Sequence, residues 1–387
     1  MLNRELIEQE YGYLGDAIFL NAASVVMPPK RVQSAYTSFM TDYVSTFGVG
    51  VVPRGRDIAN EARKKIAELV NCEPHEVAFT KNTCEGLSMM AAGINTEPGD
   101  NVVVCDQEHE ANLLPWMHQQ RRGLELRVVH TDDGRFEVRD LLEPCDQRTK
   151  VMSVSAAQFT TGFAVDLREL GAACRARAIA FVVDGVQTVG RLKIDVKDCK
   201  IDYLAAGGHK GLLGTLGAGF VYCSDRIVSD MIPPYVSYQS VINPTPPPAL
   251  TTQFDRFEWQ PDARRLESGS PNFNGILAIS RGVDLILELG IENIESAIRE
   301  TERHLRSLIE SLPLKIVQPS DPRNWSGIVC VYYPEGTEMQ VQQILRERNI
   351  YCTMQAGYLR FGIEFYNTME QMGSVSEALF KISRLRK

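Results

Sequence analysis

The sequence predicts an α/β protein with a large domain around a mainly parallel sheet of the seven-stranded type and a smaller α+β domain at the C-terminal end. Between Glu76 and Cys223, short apolar segments alternate with segments of helical periodicity. Strands that are apolar along their whole length indicate a parallel sheet covered by helices on both faces. After Pro233 the chain becomes rich in proline and serine, and a second pattern of helices and strands follows.

The predicted elements of the large domain follow one another in strict alternation along much of this region. The segments that we predict as strands are Glu76–Thr80, Asn101–Asp106, Leu124–Thr131, Lys150–Ala156, Ile179–Gly185, Asp202–Gly208 and Gly217–Cys223. The segments that we predict as helices are Thr83–Ile94, His109–Gly123 and Asp166–Ala178, the last with an aspartate at its start and the second closed by a glycine. In such sheets, ligands bind at the carboxyl ends of the strands.

The C-terminal part is predicted to begin with irregular structure. Residues 233–253 contain too many prolines for core elements, so we expect a long surface excursion there. Beyond it we predict helices at Asn274–Gly290, Ile291–Leu312, Met339–Asn349 and Met372–Lys387, with a strand at Gly327–Tyr333. The expected domains are an N-terminal segment (1–15) that packs with the small domain, a large domain (16–270), and a connecting helix with the small domain (271–387).

Composition and charge exclude several classes of protein. The 387 residues are 44% hydrophobic and 23% charged, and the formal net charge is −8. An acidic chain of this kind argues against nucleic acid or an anionic membrane as the main partner. The first residues lack the apolar stretch of a signal peptide, and no apolar run is long enough to span a bilayer. Nine scattered cysteines without a CxxC pair argue against a zinc site and favour a reducing cytoplasm.

Lys210 is the residue whose position most needs a functional explanation. It lies in the run "DYLAAGGHKGLLGTLGAGFVY", which is apolar and rich in glycine, so its amine is expected to lose hydration. A desolvated lysine is partly neutral and can attack a carbonyl group. Asp184 ends another apolar strand, and a buried aspartate with a lysine is the pair that pyridoxal phosphate chemistry requires. Two simpler alternatives stay open at this point: Lys210 extends to solvent, and Asp184 caps a turn through "DG".

Other polar residues follow predicted strands in the same way. Asn82 and Thr83 lie between a strand and a helix, where backbone amides bind anions; the alternative is that Thr83 only caps the helix. His109 follows the next strand and could stack on a planar cofactor, although a surface histidine with ordinary partners is more common. Gln158 follows a fourth strand.

Eight motifs in order resemble the class V aminotransferase family, the fold type I pyridoxal phosphate enzymes that include cysteine desulfurases and cystine C–S lyases. The resemblance covers nearly the whole chain. Its motifs are "IFLNAASVVMPP", "FTKNTCEGLS", "EHEANLLPW", "AAQFTTG", "VVDGVQTVG", "GGHKGLLG", "RRLESGSPNFNG" and "LRFGIEFYNT". It implies the fold type I architecture and pyridoxal 5′-phosphate as the cofactor.

The resemblance also implies roles for residues around the cofactor ring. Lys210 matches the lysine that forms the Schiff base and moves the α proton of the substrate. Asp184 would keep the pyridine nitrogen protonated, and Gln187 would contact the phenolic oxygen. His109 would stack on the ring, and Gln158 would lie near it.

A second group of matched residues belongs to the phosphate and the substrate. The residues expected at the phosphate are Asn82, Thr83, Cys84 through its backbone, His209, and Ser270 of a neighbouring subunit. Arg360 matches the arginine that binds the substrate carboxylate, a task that suits its bidentate fork. Asn21 and Ala23 belong to the expected substrate loop. One departure is Gly207, which stands where relatives often supply a phosphate hydroxyl from serine or threonine.

The reaction is less constrained than the cofactor. The resemblance implies an amino acid substrate that reacts through an external aldimine, and we expect C–S cleavage of cysteine or a cysteine conjugate by β-elimination. A desulfurase needs a mobile nucleophilic cysteine before the carboxylate arginine, and Cys352 is the nearest candidate. It precedes Arg360 by only eight residues (360 − 352 = 8) within a strand-like segment, so we expect it to be packed. Desulfuration, transamination and epimerisation remain alternatives.

The expected assembly is a cytoplasmic homodimer with shared active sites, because Ser270 would serve the partner's phosphate. A scaffold that has lost catalysis would be expected to lack Lys210 or Asp184, and both are present. Arg54 and Arg56 lie near segments that are expected to form the substrate pocket. They suggest an anionic or polar distal group on the substrate, although a solvated surface pair is the simpler interpretation.

Overall fold

The computed structural model describes residues 2–131, 134–242, 257–317, 319–355 and 357–386. Within these ranges the main sheet has seven strands in the order β2-β8-β7-β6-β5-β3-β4. Its strands are β2 (Val77–Thr80), β3 (Asn101–Cys105), β4 (Glu125–Val129), β5 (Thr149–Ser155), β6 (Ala180–Asp184), β7 (Tyr203–Gly207) and β8 (Gly219–Cys223). Only β8 runs antiparallel to its neighbours. The predicted mainly parallel sheet is therefore confirmed.

Helices connect these strands and continue into the C-terminal part. They are α1 (Arg4–Tyr11), α2 (Lys30–Ser45), α3 (Val51–Val70), α4 (Thr83–Gly93), α5 (Glu110–Gln119), α6 (Val138–Leu142), α7 (Leu167–Ala176), α8 (Asp225–Val228), α9 (Phe273–Leu289), α10 (Ile291–Ile309), α11 (Glu338–Arg346) and α12 (Met369–Ile382). Two helix ends are formed by the residues that the sequence predicts. Asp166 caps the start of α7 by accepting from the N–H of Glu169, and Gly123 ends the turn after α5 with φ of 84°.

The sheet separates two apolar cores. Alternate residues of each strand belong to different clusters: Val103 and Phe181 face one core, whereas Val104 and Val182 face the other. Helices α3 and α9 cover the first core, and α4 covers the second. Burial on both faces explains why the strands are apolar along their whole length.

A second sheet lies in the C-terminal part. The remaining strands are β1 (Ile18–Phe19), β9 (Val241–Ile242), β10 (Glu258–Trp259), β11 (Ile316–Val317), β12 (Ile328–Tyr332), β13 (Ile350–Tyr351), β14 (Thr353–Gln355) and β15 (Tyr358–Gly362). The order β11-β12-β15-β14 is antiparallel throughout, and α10, α11 and α12 bury their apolar faces against it. This is the smaller α+β unit that the sequence predicts.

The structure contains N-terminal helices that the sequence analysis did not predict, and it leaves some predictions untested. The N-terminal helices α1, α2 and α3 were not among the predicted elements, and Tyr11 of α1 packs on Phe365 and Tyr366. The predicted surface excursion at 233–253 falls partly outside the described residues, which stop at 242; its described part includes β9. The domain boundaries at 15/16 and 270/271 remain predictions. In the described ranges, no helix has the length and apolar character needed to cross a membrane.

The topology brings the functional residues to one edge of the main sheet. Strand β2 pairs with β8 antiparallel, and β8 pairs with β7 antiparallel, so β2 points the same way as the parallel strands. The carboxyl ends of β2, β3, β5, β6 and β7 therefore meet at the same edge. Each of the predicted polar positions from Asn82 to Lys210 follows one of these ends.

Candidate active site

A cavity of about 340 Å³ opens at this edge of the sheet, and residues of both sheets line it. Ten of the thirteen residues expected from the sequence are in its lining. They are Ala23, Asn82, Thr83, Cys84, His109, Asp184, Gln187, His209, Lys210 and Arg360. Residues from nearly the whole length of the chain thus converge on one volume that is large enough for a small cofactor and an amino acid.

Lys210 lies in the turn that follows β7, and its side chain is buried, with 9% of its surface exposed. Burial lowers the pKa of its amine to about 8; the Asp184 carboxylate raises this pKa, and the Arg360 and Arg191 charges lower it further. The side chain therefore stays in the cavity and does not extend to solvent. At neutral pH a useful fraction of the amine is unprotonated.

Asp184 ends β6 and is fully enclosed. Its Oδ1 accepts from the N–H of Val186 at 2.9 Å, which is the turn-capping contact that the sequence left open. Its Oδ2 is buried, lies in the cavity lining and has no hydrogen-bond partner. Burial raises the pKa of Asp184 to about 7. A cationic group next to Asp184 Oδ2 would favour the ionised carboxylate and give this oxygen a hydrogen-bond partner.

His109 lines the cavity and caps a helix, and its stacking on the cofactor remains a prediction. Its Nδ1 accepts from the N–H of Ala111 at 3.0 Å, so it caps α5, while its ring lines the cavity. Burial lowers the pKa of His109, and the Lys210 charge lowers it further. Gln187 lies nearby: its Nε2 donates to the Ala23 carbonyl at 3.0 Å, and its Oε1 is buried without a partner. One N–H of the Gln187 amide remains for another acceptor.

The N-terminus of α4 faces the cavity and can bind an anion. Asn82, rather than Thr83, caps the helix, because its Oδ1 accepts from the N–H of Glu85 at 2.8 Å. The Thr83 hydroxyl lies against Gly207, where an added Cβ would be 3.3 Å from that oxygen and 3.0 Å from Cε1 of His209. The side chains of Thr83 and His209 therefore occupy the space that a serine or threonine hydroxyl at position 207 would need. Burial lowers the pKa of His209 to about 4, and its ring is neutral at pH 7.

Arg360 brings a guanidinium from β15 into the same cavity. It is 5% exposed and is held only by neutral oxygens: Nη1 donates to the Phe159 carbonyl at 3.1 Å, and Nη2 donates to Ser24 Oγ at 2.7 Å. Nη2 also approaches Thr353 Oγ1 at 3.4 Å, and Nε has no partner. Among the described residues no carboxylate pairs with it. A buried cation in this state is prepared for an anionic ligand.

Three expected residues lie elsewhere. Gln158 is fully buried beneath the cavity, where its Nε2 donates to Glu108 at 3.0 Å, and Phe159 takes the lining position instead. Asn21 accepts from Thr353 Oγ1 at 2.5 Å and supports Arg360 indirectly. Ser270 is exposed, has φ of 55°, and is absent from the cavity lining of its own chain.

Sequence reasoning did not single out several residues at the site, among them Ser24, Phe159, Gln355 and Glu108. Ser24, Phe159 and Gln355 line the cavity, and the rings of Phe159 and His109 meet edge to face with centroids 4.9 Å apart. Glu108 is buried behind them and accepts from the N–H of Ser155 at 2.9 Å, among other donors. The motif "EHEAN" and the segment "AASVV" contain two of these residues, but nothing in them shows where the side chains point.

The comparisons with known proteins agree with this arrangement. The sequence profile of the family described as "Aminotransferase class-V" matches residues 18–375. The chain belongs to the class V aminotransferase family. One curated relative, a probable cysteine desulfurase of Methanothermobacter thermautotrophicus, is 28% identical over 99% of this chain and 98% of its own.

Solved structures share the fold of this chain. The apo structure of a cysteine desulfurase from Thermococcus onnurineus NA1 aligns over 99% of this chain and 98% of its own, with a TM-score of 0.89 and 23% identity. A cystine C–S lyase in complex with its product cysteine persulfide covers 96% of this chain and 100% of its own, with a TM-score of 0.87 and 21% identity. These likenesses confirm the fold type I architecture.

As a class V aminotransferase-family member, the protein is a pyridoxal phosphate-dependent enzyme, and its cavity fits that cofactor. Asp184 Oδ2 is an unpaired acceptor for a protonated ring nitrogen, and Lys210 is a buried amine for the aldehyde. The N-terminus of α4 is an electropositive cradle for a phosphate. No group of three or more metal-ligating side chains occurs among the described residues.

The pKa of Lys210 leads to a prediction about cofactor uptake. Because only the neutral amine attacks the aldehyde, the rate at which the apoprotein becomes yellow should rise about tenfold per pH unit below pH 8 and level off above it. Absorbance after mixing with pyridoxal phosphate measures this rate. Borohydride reduction and peptide mapping should place the label on Lys210.

The control is Lys210→Ala, which should keep the fold and show neither the yellow form nor turnover. The exposed Lys193→Ala is the matched surface change and should behave like the parent. A label on another lysine, or a rate that stays flat between about pH 6 and pH 9, would contradict the assignment.

Proposed function

We propose that this enzyme cleaves the C–S bond of cysteine or a cysteine conjugate by β-elimination. With cysteine, the overall reaction converts the amino acid and water into pyruvate, ammonia and hydrogen sulfide. The cysteine desulfurases and the cystine C–S lyase to which the chain is similar support the choice of bond. The observation that favours elimination over desulfuration is the placement of the thiols.

Of the nine cysteines, all within the described ranges, only Cys84 lines the cavity. Cys84 is at the N-terminus of α4, the end assigned to the phosphate, and burial raises the pKa of its thiol. Cys352 packs against the apolar core of the small sheet, and burial raises its pKa to about 12. Its neighbour Thr353 is the residue whose side chain reaches Arg360. A thiolate placed to accept sulfur is therefore lacking, which supports release of sulfur as a free product.

The proposal also assigns roles to the other residues that line the cavity. When bound, pyridoxal phosphate supplies an electron sink for the pair left as the α proton departs. Lys210 is the base that we assign to this proton, since burial keeps its amine partly neutral. Arg360 binds the substrate carboxylate and fixes the α carbon relative to Lys210. His109 would stack on the ring of the cofactor, and Gln187 would donate to its phenolic oxygen.

Cysteine desulfuration is the second candidate, and the names of the curated relatives favour it. In that reaction alanine forms and the sulfur passes to a protein thiol. Transamination and epimerisation would use the same residues. A panel of amino acids, followed by assays for pyruvate, sulfide, alanine and the aminated cofactor, distinguishes these reactions from one another.

A homodimer with shared active sites is also part of the proposal. Ser270 is exposed, has a positive φ, and is absent from the cavity lining of its own chain. The corner between α2 and α3 exposes Phe47 by 95% and Val49 by 80%, and large exposed apolar groups of this kind are typical of interfaces. A cytoplasmic location is proposed as well, because all nine cysteines are free thiols.

Arg360→Ala should weaken amino acid binding and leave the cofactor spectrum unchanged, since the guanidinium is assigned to the substrate carboxylate alone. The expected loss is about 2–4 kcal/mol of binding free energy. Spectral titration with amino acid measures it, and the exposed Arg323→Ala is the control. Loss of cofactor with normal amino acid affinity would show that the residue has been misassigned.

Cys352→Ser should keep most of the activity, because the packed thiol is not part of the proposed reaction. Cys84→Ser, made in parallel, tests the cysteine in the cavity lining. Mass spectrometry after brief exposure to cysteine should find no added sulfur on Cys352. A stoichiometric persulfide there, with activity lost in the serine variant, would make desulfuration the function.

The dimer is tested by sedimentation at assay concentration. The parent should sediment as a dimer, and Phe47→Asp should shift it towards monomer with loss of activity, because each site would lack the partner's Ser270. The Met339→Asp change in α11, at a side chain that is 83% exposed, is the matched control. A fully active monomer would rule out shared sites.

A further inference from the structure

A fully buried ion pair joins the two sheets next to the cavity. Arg191 follows β6 by a few residues, and Glu364 follows β15; neither exposes more than 1% of its side chain. Nε of Arg191 lies 2.7 Å from Oε1 of Glu364. Burying two charges costs free energy, so net stability alone does not explain this pair. The contacts of the pair with the backbone on both sides suggest another role.

Both terminal nitrogens of the Arg191 guanidinium donate to backbone carbonyl groups, and its Nε is in ion-pair contact with Glu364. Nη1 donates to the carbonyl of Gln187 at 2.9 Å, and Nη2 donates to the carbonyl of Ile363 at 2.6 Å. The group fits closely into its slot: a Cβ on Gly327 would lie 2.7 Å from Nη2. A lysine could not replace these contacts, because it carries one nitrogen instead of a planar set of three.

The two carbonyl groups belong to segments that carry different halves of the site. Gln187, whose side chain lines the cavity, is on the large-sheet side with Asp184. Ile363 directly follows Gly362, the last residue of β15, and Arg360 lies on that strand. Arg191 therefore ties the cofactor side of the cavity to the side that carries the carboxylate-binding guanidinium.

We propose that Arg191 and Glu364 are positioning residues that set the distance between Arg360 and the cofactor-facing residues. The inference rests on the proposed function of Arg360 and Gln187. Because the substrate must contact both sides at once, a shift of this joint should weaken amino acid binding while the cofactor stays bound.

The chain contains a matched pair for comparison. Arg63 and Glu267 form an ion pair of similar burial, and Arg63 Nε also donates to the Val77 carbonyl at 3.2 Å. Both residues lie outside the cavity lining, and the pair holds α3 against β2 without involving the small sheet. Arg63→Lys should therefore cost stability without changing the geometry between the two halves of the site.

The experiment compares Arg191→Lys, Glu364→Gln and Arg63→Lys as holoenzymes. L-alanine, which has no β leaving group, is the probe, and its dissociation constant is read from the cofactor spectrum. Arg191→Lys should raise this constant about tenfold or more with the spectrum of the free holoenzyme unchanged. With cysteine, KM should rise more than kcat falls. Glu364→Gln keeps the side-chain shape and carries the same test if Arg191→Lys does not fold.

Arg63→Lys, the control, should bind L-alanine as the parent does, even if its melting temperature falls as much as that of Arg191→Lys. Parental affinity in both Arg191→Lys and Glu364→Gln would overturn the proposal, and so would an equal weakening in Arg63→Lys. Arg360→Ala is measured alongside to separate the two proposals. If Arg360→Ala binds L-alanine normally, the carboxylate site itself is wrong; if only Arg360→Ala weakens binding, the positioning role alone fails.

Discussion

Burial of charge without a protein partner is the constraint around which this molecule is organised. Lys210, Asp184 and Arg360 are each taken out of water, and Asp184 Oδ2 and Arg360 Nε are buried without a hydrogen-bond partner among the described residues. Folding alone gains nothing from such an arrangement. The sheet beneath it, apolar on both faces, supplies the stability that offsets the cost, and in the proposed function the cofactor and the substrate would pair with these groups.

Much of the fold could be predicted because the pattern is local. Each strand of the main sheet is a short apolar run bounded by polar or glycine residues, and each functional residue follows such a run. Asp184, Lys210 and His109 could therefore be assigned to one edge from the order of elements alone. The N-terminal cap of α7 and the glycine that ends the turn after α5 could also be predicted from the sequence, since each depends on residues only a few positions apart.

The rest depends on contacts that sequence order does not express. After β5 the chain leaves the sheet, the alternation of faces no longer applies, and Phe159 rather than Gln158 turns towards the cavity. Ser24 and Thr353 meet at Arg360 from opposite ends of the chain. Gly207 was visible only as a missing hydroxyl, whereas the structure shows that the space is taken by neighbouring side chains.

The way in which Arg360 is held has a stereochemical consequence. Three segments distant in sequence fix its guanidinium through Ser24, Phe159 and Thr353, so its direction is set before any ligand arrives. In the proposed roles, Arg360 would fix the carboxylate of a bound amino acid, the cofactor would hold its nitrogen, and Lys210 would be the base for its α hydrogen. Those three fixed points define a handedness. Of two mirror-image amino acids, only one can direct its α hydrogen towards Lys210 while both other attachments are made.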